Sequence, residues 1–286
     1  GDVYKRQRYF LEEARFGYDQ KTHKIEVGKP IGQFYGYKTS GLYQIEDFDY
    51  DAKNQTYTLK ESVPYMSGTF NRNDVRPGMW KFEDRNGDKI IDDSDMTVIG
   101  NANPDFYGGL NNQFKYKEWD FSLFFTFSYG GEVLNATKLT NTKTATTNYS
   151  VLDIANSSNR WMTVNSEGQP ITDPAEMAAI NAGKTVACIY DMEAGDKYIH
   201  SWAVEDASFL RLSNLSLGYT FDRKKLRKFN VQSLRLYFTG SNLFVWTPYS
   251  GFDPEVSTKG NNLTPGVDYG AYPRNRSYVF GLNITF

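Results

Sequence analysis

The chain has few of the residue types on which many protein functions depend. Its 286 residues include one cysteine, Cys188, and two histidines, His23 and His200. A single cysteine excludes an intramolecular disulfide framework and a cysteine-based zinc site. Two histidines leave little material for a histidine-rich metal site or for acid–base catalysis.

Long apolar runs and a dominant charge are also missing. No stretch approaches the ~18 consecutive apolar residues that a membrane-spanning helix needs. The 32 Lys and Arg residues nearly balance 34 Asp and Glu residues, and the net charge is −2. Because no basic field extends over the chain, we expect no nucleic-acid binding.

Catalytic motifs are absent as well. The chain contains no G-x-S-x-G elbow, no P-loop and no H-E-x-x-H motif. Carboxylate pairs such as Asp47/Asp49 and Asp253/Glu255 do not by themselves indicate glycoside hydrolysis, because spacing along the chain does not give the separation in space. The basic run at 223–228 is typical of a solvated turn. We therefore expect no enzyme activity.

Aromatic residues are abundant. They make up 16% of the chain, although all hydrophobic residues together make up only 40% and the mean hydropathy is −0.59. A transmembrane β-barrel combines these properties, because it carries aromatic residues at both membrane interfaces and polar residues at every second strand position.

Several segments alternate with the period of a β-strand. In the last nine residues Tyr278, Phe280, Leu282, Ile284 and Phe286 alternate with Val279, Gly281, Asn283 and Thr285. Residues 214–221 and 120–129 show the same period, and 106–116 and 234–244 show it less regularly. Eleven residues at ~3.3 Å each, tilted by ~45°, span roughly the ~25 Å apolar band of an outer membrane.

Alternation alone fits a soluble β-sandwich as well as a barrel, but the lengths of the connections favour the barrel. If the last strand descends towards the periplasm, every long connection falls on the outer side and every short one on the inner side, as in outer-membrane barrels. The predicted fold is all-β, an antiparallel transmembrane β-barrel. Its predicted regions are an outer loop region at 31–105, a hairpin at 106–130, a long outer loop at 131–205 and C-terminal strands at 206–286.

One predicted outer loop has the spacing of a calcium-binding loop. Residues 84–95 place oxygen-bearing side chains at alternating positions, and Ca²⁺ takes 6–8 such oxygens. Lys89 stands where the pattern has Gly, and the last position holds Asp rather than Glu. A turn that binds nothing remains the alternative to a structural Ca²⁺ site. The predicted ligands are Asp84, Asn86, Asp88, Ile90 and Asp95.

The other long loop contains a predicted short helix, with Asp173 as N-cap, Pro174 at its first position and Gly183 beyond its end. Loop aromatic residues are candidates for stacking on a substrate. These are Trp161, Trp202 and Tyr249.

A series of motifs runs through nearly the whole chain after about residue 25. It comprises VGKPIGQFYGYKT at 27–39, RPG at 76–78, the 84–95 loop, VIGNANPD at 98–105, SFLRLSN at 208–214, GSNLF at 240–244, GFDPE at 251–255, GVDYG at 266–270 and the terminal strand ending in Phe286. In this order the motifs resemble the C-terminal third of SusC/RagA-type TonB-linked outer-membrane transporters. Lys89 is the main departure from the family pattern.

The resemblance implies a nutrient transporter in the outer membrane of a Gram-negative, Bacteroidetes-like cell. Such a transporter imports oligosaccharides or peptides, works with a SusD-like surface lipoprotein and draws energy from TonB through an N-terminal part. A barrel of that family has about 22 strands, so we expect this chain to form only the C-terminal portion, an open partial barrel with long extracellular loops. Tyr278, Phe280, Leu282, Ile284 and Phe286 then occupy the position of the family's assembly signal.

Two further expectations concern the first residues of the chain and the alternatives to a transporter. Residues 1–7, GDVYKRQ, resemble a translated adaptor sequence, and we expect them to be a scar rather than part of the fold. The alternatives to the transporter are a secreted calcium-loop β-sandwich that binds carbohydrate and a passive porin.

Overall fold

A computed structural model describes residues 9–12, 21–67, 71–142, 151–188, 198–258 and 262–286. The predicted scar at residues 1–7 lies outside the described residues. The chain divides into two compact units. The loop unit comprises Gly1–Asn101, Leu134–Val204 and Ser257–Gly270, and the sheet unit comprises Ala102–Val133, Glu205–Val256 and Ala271–Phe286.

The described strands are numbered in chain order. The first ten are β1 (Tyr9–Glu12), β2 (Lys21–Ile25), β3 (Gln33–Gly36), β4 (Thr39–Leu42), β5 (Phe48–Asp51), β6 (Thr56–Leu59), β7 (Tyr65–Met66), β8 (Trp80–Phe82), β9 (Ile90–Ile91) and β10 (Thr97–Asn101). The others are β11 (Phe106–Tyr116), β12 (Trp119–Tyr129), β13 (Glu132–Asn135), β14 (Val204–Asp206), β15 (Phe209–Thr220), β16 (Ser233–Trp246), β17 (Val267–Asp268) and β18 (Ser277–Thr285).

The sheet unit is built on one antiparallel sheet of five long strands, in the order β11-β12-β15-β16-β18. These are the five segments in which the sequence alternates. Their period of two places apolar side chains on one face and polar ones on the other, so the register is strongly specified. Irregularities in β15 near Ser213 preserve the two faces along the strand.

The loop unit contains short strands around a hydrophobic core. Its pairings are β1-β2-β3-β10 in one antiparallel sheet, the antiparallel pairs β4–β8 and β5–β6, and the parallel pairs β7–β9 and β13–β17. The core brings together residues that are distant in sequence, among them Tyr43, Phe82, Trp161 and Met177. Regions 31–105 and 131–205, which the sequence predicts as two outer loops, thus contribute to one folded unit.

In the described ranges, helices are few and short. They are α1 (Ala136–Asn141), α2 (Pro174–Asn181) and a single turn at Arg223–Leu226. Short 3-10 segments lie at Ile45–Asp47, Arg72–Asp74, Asp93–Asp95, Asp153–Ala155, Ser201–Ala203 and Arg227–Phe229. The predicted loop helix is confirmed as α2, because the Asp173 carboxylate accepts a hydrogen bond from Ala175 N at 3.0 Å and Gly183 has a φ of +76°. Among the described residues, no helix is long and apolar enough to cross a membrane.

Candidate membrane-facing sheet and loop sites

One face of the five-stranded sheet is apolar across all five strands. The register aligns Phe114, Phe121, Leu217, Phe238 and Phe280 in one row, one residue from each strand. Leu236 and Leu282 extend a neighbouring row, and both side chains are exposed. Exposing so many large side chains to water is unfavourable, and patches of this kind mark a membrane or protein interface. We call this surface the apolar face.

Aromatic residues lie near both ends of the apolar face. At the end with the short β11–β12 connection, Trp119 and Tyr219 have ring centroids 4.8 Å apart. Towards the other end, Phe106 stacks on Tyr129 at 5.1 Å and Phe244 lies 6.0 Å from Trp246. The eleven residues of β12 separate the two groups by roughly the ~25 Å of an outer-membrane apolar band when the strands are tilted. This arrangement matches the aromatic girdles of a membrane-spanning sheet.

The opposite face of the sheet is polar. Ser122, Ser216 and Thr239 form one row across β12, β15 and β16. Arg235 on β16 reaches across Gly218 on β15 to the Asp120 carboxylate at 2.6 Å. A side chain at position 218 would block this bridge, because a Cβ there would lie 2.6 Å from Arg235 Nη2. The two faces together suit a wall with lipid on one side and a polar lumen on the other.

The predicted assembly signal lies on the last strand. Tyr278, Phe280, Leu282 and Ile284 belong to β18, an edge strand of the sheet, and Phe286 follows its end. All five side chains are exposed, and Phe280 is 80% accessible. The structure therefore places the four β18 residues of the predicted signal on the apolar face, where another protein or lipid can reach them.

The predicted metal-binding residues share one compact turn. Asp84 accepts hydrogen bonds from Gly87 N at 2.6 Å and Lys89 N at 2.8 Å. Asn86 and Asp88 accept bonds from the amides two residues onward. Lys89 adopts the left-handed conformation, with a φ of +65°, so the turn forms without the Gly of the pattern.

The end of this loop is buried. Asp95 is 0% exposed and accepts hydrogen bonds from the amides of Arg85 and Asp92. The negative charge of the loop also acts on a neighbouring side chain. Burial raises the pKa of the Tyr37 hydroxyl, and the nearby carboxylate of Asp93 in the loop raises this pKa further. Within the described ranges, no three His, Cys, Asp or Glu side chains converge to hold a metal ion. A Ca²⁺ ion would therefore also need the Asn86 oxygen, the Ile90 carbonyl and water.

Two of the three candidate substrate-stacking aromatic residues are buried. Trp161 is 1% exposed and packs against Gly78, where an added Cβ would lie 2.3 Å from the indole. Tyr249 is also buried. Trp202 keeps part of its surface, but its ring contacts Trp80 and the ammonium group of Lys138. Substrate contact by these rings stays a prediction, and burial argues against it for Trp161 and Tyr249.

Sequence reasoning missed a buried charge cluster in the sheet unit. Arg211 on β15 donates a hydrogen bond to Asp253 at 2.7 Å. Its Nε lies 2.9 Å from Glu255 Oε2 without the alignment of a hydrogen bond, and Arg274 pairs with Glu255 at 3.1 Å. Because Arg211 lies on the polar face, segment 251–255 covers that part of the sheet. The GFDPE motif at 251–255 contains both acidic residues of this cluster. It does not indicate their basic partner, because Arg211 lies 42 residues before Asp253 in the chain.

A second contact between distant residues that the sequence did not predict lies in the loop unit. His23 Nε2 donates to the Pro265 carbonyl at 3.0 Å, and Thr22 Oγ1 lies 2.8 Å from Nδ1. A carbonyl can only accept, so Nε2 carries the proton and the Thr22 hydroxyl donates to Nδ1. Burial of the ring lowers the pKa of His23 to about 4, although the Pro265 bond opposes this shift.

The curated proteins to which the chain is similar carry the same kind of name, TonB-dependent receptor. No family model matches the chain. The chain is 34% identical over 283 residues to TonB-dependent receptor P3 of Formosa agariphila, covering 97% of the chain and 24% of that protein. It is 28% identical over 207 residues to TonB-dependent receptor SusC of Bacteroides thetaiotaomicron, covering 72% of the chain and 17% of SusC.

Solved structures show the same fold. The chain aligns with the RagAB peptide transporter with a TM-score of 0.57 and 18% identity, over 99% of this chain and 25% of that one. The chain thus spans about a quarter or less of the length of these relatives.

Proposed function

Because the chain belongs to the SusC/RagA family of TonB-dependent receptors, we propose that it forms part of the barrel of an outer-membrane nutrient transporter. The observation that carries the proposal is the five-stranded sheet with one apolar and one polar face. A strand wall with these faces separates lipid from a polar transport path. The relatives are named as receptors and transporters, and we expect no catalysis from this chain.

The proposed substrate is an oligosaccharide or a peptide. The solved relative RagAB is described as a peptide transporter, whereas the resemblance of the motifs to the SusC/RagA family covers both substrate classes. The proposed partners are a SusD-like surface lipoprotein on the outer side and TonB as the source of energy. Outer-membrane lipid is the proposed environment of the apolar face.

The arrangement of the faces argues against the first of the two alternatives, the β-sandwich. A carbohydrate-binding β-sandwich buries its apolar sheet face in its core, whereas Phe280, Leu282 and many of their neighbours are exposed. A passive porin would share the wall but would need no energy source. The porin and the transporter therefore differ in the energy dependence of uptake rather than in the sheet.

We also propose a structural Ca²⁺ at the 84–95 loop. The carboxylates of Asp84 and Asp88 each accept backbone hydrogen bonds, yet two carboxylate oxygens together offer about four lone pairs. Lone pairs on the carboxylate oxygens of Asp84 and Asp88 therefore remain free to coordinate a cation after the turn has formed. The left-handed Lys89 supports the proposal, because it supplies the sharp bend that the calcium-loop pattern assigns to Gly.

Uptake measurements in whole cells test the transport proposal. We expect deletion of the gene to abolish entry of a fluorescent oligosaccharide or oligopeptide, and depletion of TonB or collapse of the proton-motive force to do the same. Uptake that survives TonB depletion would identify a passive porin. Recovery of the protein in the secreted soluble fraction would identify the sandwich.

A further inference from the structure

The two short connections of the sheet, between β11 and β12 and between β15 and β16, lie at the same end of the strands. Thr220 N at the end of β15 donates to Glu118 O in the β11–β12 connection at 2.8 Å. Gln232 N, just before β16, donates to Thr285 O of β18 at 2.7 Å. The connection at 117–118 and the connection at 221–232 are therefore neighbours along one rim of the sheet.

This rim is strongly basic, although the whole chain has a net charge of −2. Residues 222–228 contain five basic residues and one acidic residue, Asp222. We call the rim cluster the basic edge and define it by exposed side chains on both connections. Its members are Lys117, Arg223, Lys224, Arg227 and Lys228.

The basic edge is held by a structured turn. The Asp222 carboxylate accepts a hydrogen bond from Lys224 N at 2.9 Å, and Leu226 is buried beneath the turn. Asn230 ends the segment in the left-handed conformation, with a φ of +55°. In the part of the chain that the structure describes, the charged groups of Arg223, Lys224, Arg227 and Lys228 form no salt bridge, so their charges face outward.

Aromatic side chains lie next to the basic edge. Trp119, Tyr219 and Phe221 form a chain of ring contacts with centroids 4.8 and 4.9 Å apart. Lys117 Nζ lies 5.3 Å from the centre of the Tyr116 ring. Aromatic residues of this kind occupy the level of lipid headgroups. Lys and Arg residues just beyond them lie where the phosphates of those headgroups lie.

We propose that the basic edge binds the headgroups of anionic phospholipids in the membrane leaflet next to the short connections. The proposal rests on the proposed function, because it requires the apolar face to be in the membrane. Charge complementarity and continuity with the apolar face select a lipid over a soluble partner, since the same edge that carries the charges carries the interfacial aromatic residues. Each basic residue near such a surface contributes about 1 kcal/mol, or about a fivefold change in binding.

Quenching of tryptophan fluorescence by brominated lipids tests the proposal on the full protein in vesicles. Trp119 adjoins the basic edge, and the difference between the protein and its Trp119→Phe variant isolates the Trp119 emission. We expect brominated phosphatidylglycerol to quench Trp119 more strongly than brominated phosphatidylcholine at equal mole fraction. High salt should reduce the difference.

Charge variants complete the test. We expect Arg227→Gln with Lys228→Gln to lower the relative affinity for phosphatidylglycerol by about 25-fold, because each residue contributes a factor of about five. Lys29→Gln with Lys53→Gln, two exposed lysines of the loop unit, should leave it unchanged. Equal quenching by the two lipids, or an effect of the control pair as large as that of Arg227 and Lys228, would overturn the headgroup proposal alone. Absence of quenching by either lipid would overturn the membrane placement as well.

Discussion

The guanidinium group of Arg211 lies 2.7 Å from the carboxylate of Asp253, with both side chains more than nine-tenths buried. The pair joins β15 to a segment 42 residues further along the chain. Removing one partner of a buried pair leaves an uncompensated charge, which costs far more than the loss of an exposed pair.

Asp253→Ala should therefore destabilise the protein by about 3 kcal/mol, at the lower end of the range for buried pairs because Glu255 still contacts Arg211. The matched control is Asp120→Ala, which breaks the half-exposed pair with Arg235 and should cost ~1 kcal/mol or less. Unfolding in urea measures both values. Equal costs for the two variants would contradict the burial argument.

Gly78 is predicted to tolerate no side chain. It has a φ of +84°, and an added Cβ would lie 2.3 Å from the Trp161 indole. Gly168→Ala is the control, since Gly168 has a φ of +79° and nothing within 4 Å. Gly78→Ala should cost ~1–3 kcal/mol more than the control in thermal unfolding, because overpacking adds to the backbone strain. Similar costs would show that Trp161 can move aside.

The buried His23 should make stability depend on pH. Its folded pKa is about 4, below the ordinary value of 6.5, so the unfolded chain binds the proton more readily between these values. The contribution of the neutral His23 ring to the free energy of unfolding is therefore fully present above about pH 6.5. It is lost progressively as the pH falls to about 4, and the loss is at most about 3 kcal/mol.

The variant His23→Gln tests this dependence. Pulse proteolysis at several pH values gives the stability difference between the protein and the variant, and this difference should shrink as the pH falls from 6.5 towards 4. A difference that stays constant over this window would exclude His23 as the source.

Charge on the apolar face should be costly. Leu282→Arg places a guanidinium group in lipid and should cost ~2–4 kcal/mol if the residue lies near the midplane, and Ile284→Arg should act in the same way. Val279→Arg is the control, because Val279 lies on the same strand with its side chain on the opposite face. Refolding titrations into bilayers measure the difference. Equal tolerance of arginine at Leu282 and Val279 would refute the lipid placement.

Calcium binding should depend on Asp84 and Asp88. Calorimetry of the folded protein with CaCl₂ should show binding heat that disappears in Asp84→Ala and Asp88→Ala. Asp49→Ala, an exposed carboxylate on β5, should keep the heat. If the unmodified protein shows none, the loop is a turn without a cation.

The sequence predicted the features that depend on neighbouring residues. Period-two alternation identified the five strands of the sheet and the face to which Leu282 and Phe280 belong, because successive side chains of a strand point to opposite sides. Likewise, α2 follows from Asp173, Pro174 and Gly183, since capping involves only the residues at the ends of a helix. Family membership followed from the order of short motifs.

Only the tertiary structure decided the features that depend on residues far apart in the chain. Regions 31–105 and 131–205 contribute to one core, in which Trp161 fills the space beside Gly78. Arg211 meets Asp253, and the short connections meet in the basic edge. By contrast, the single cysteine was enough, at the level of sequence, to exclude an intramolecular disulfide framework and a cysteine-based zinc site. Contacts between distant residues leave no periodic or local pattern, because they arise only when the chain has packed.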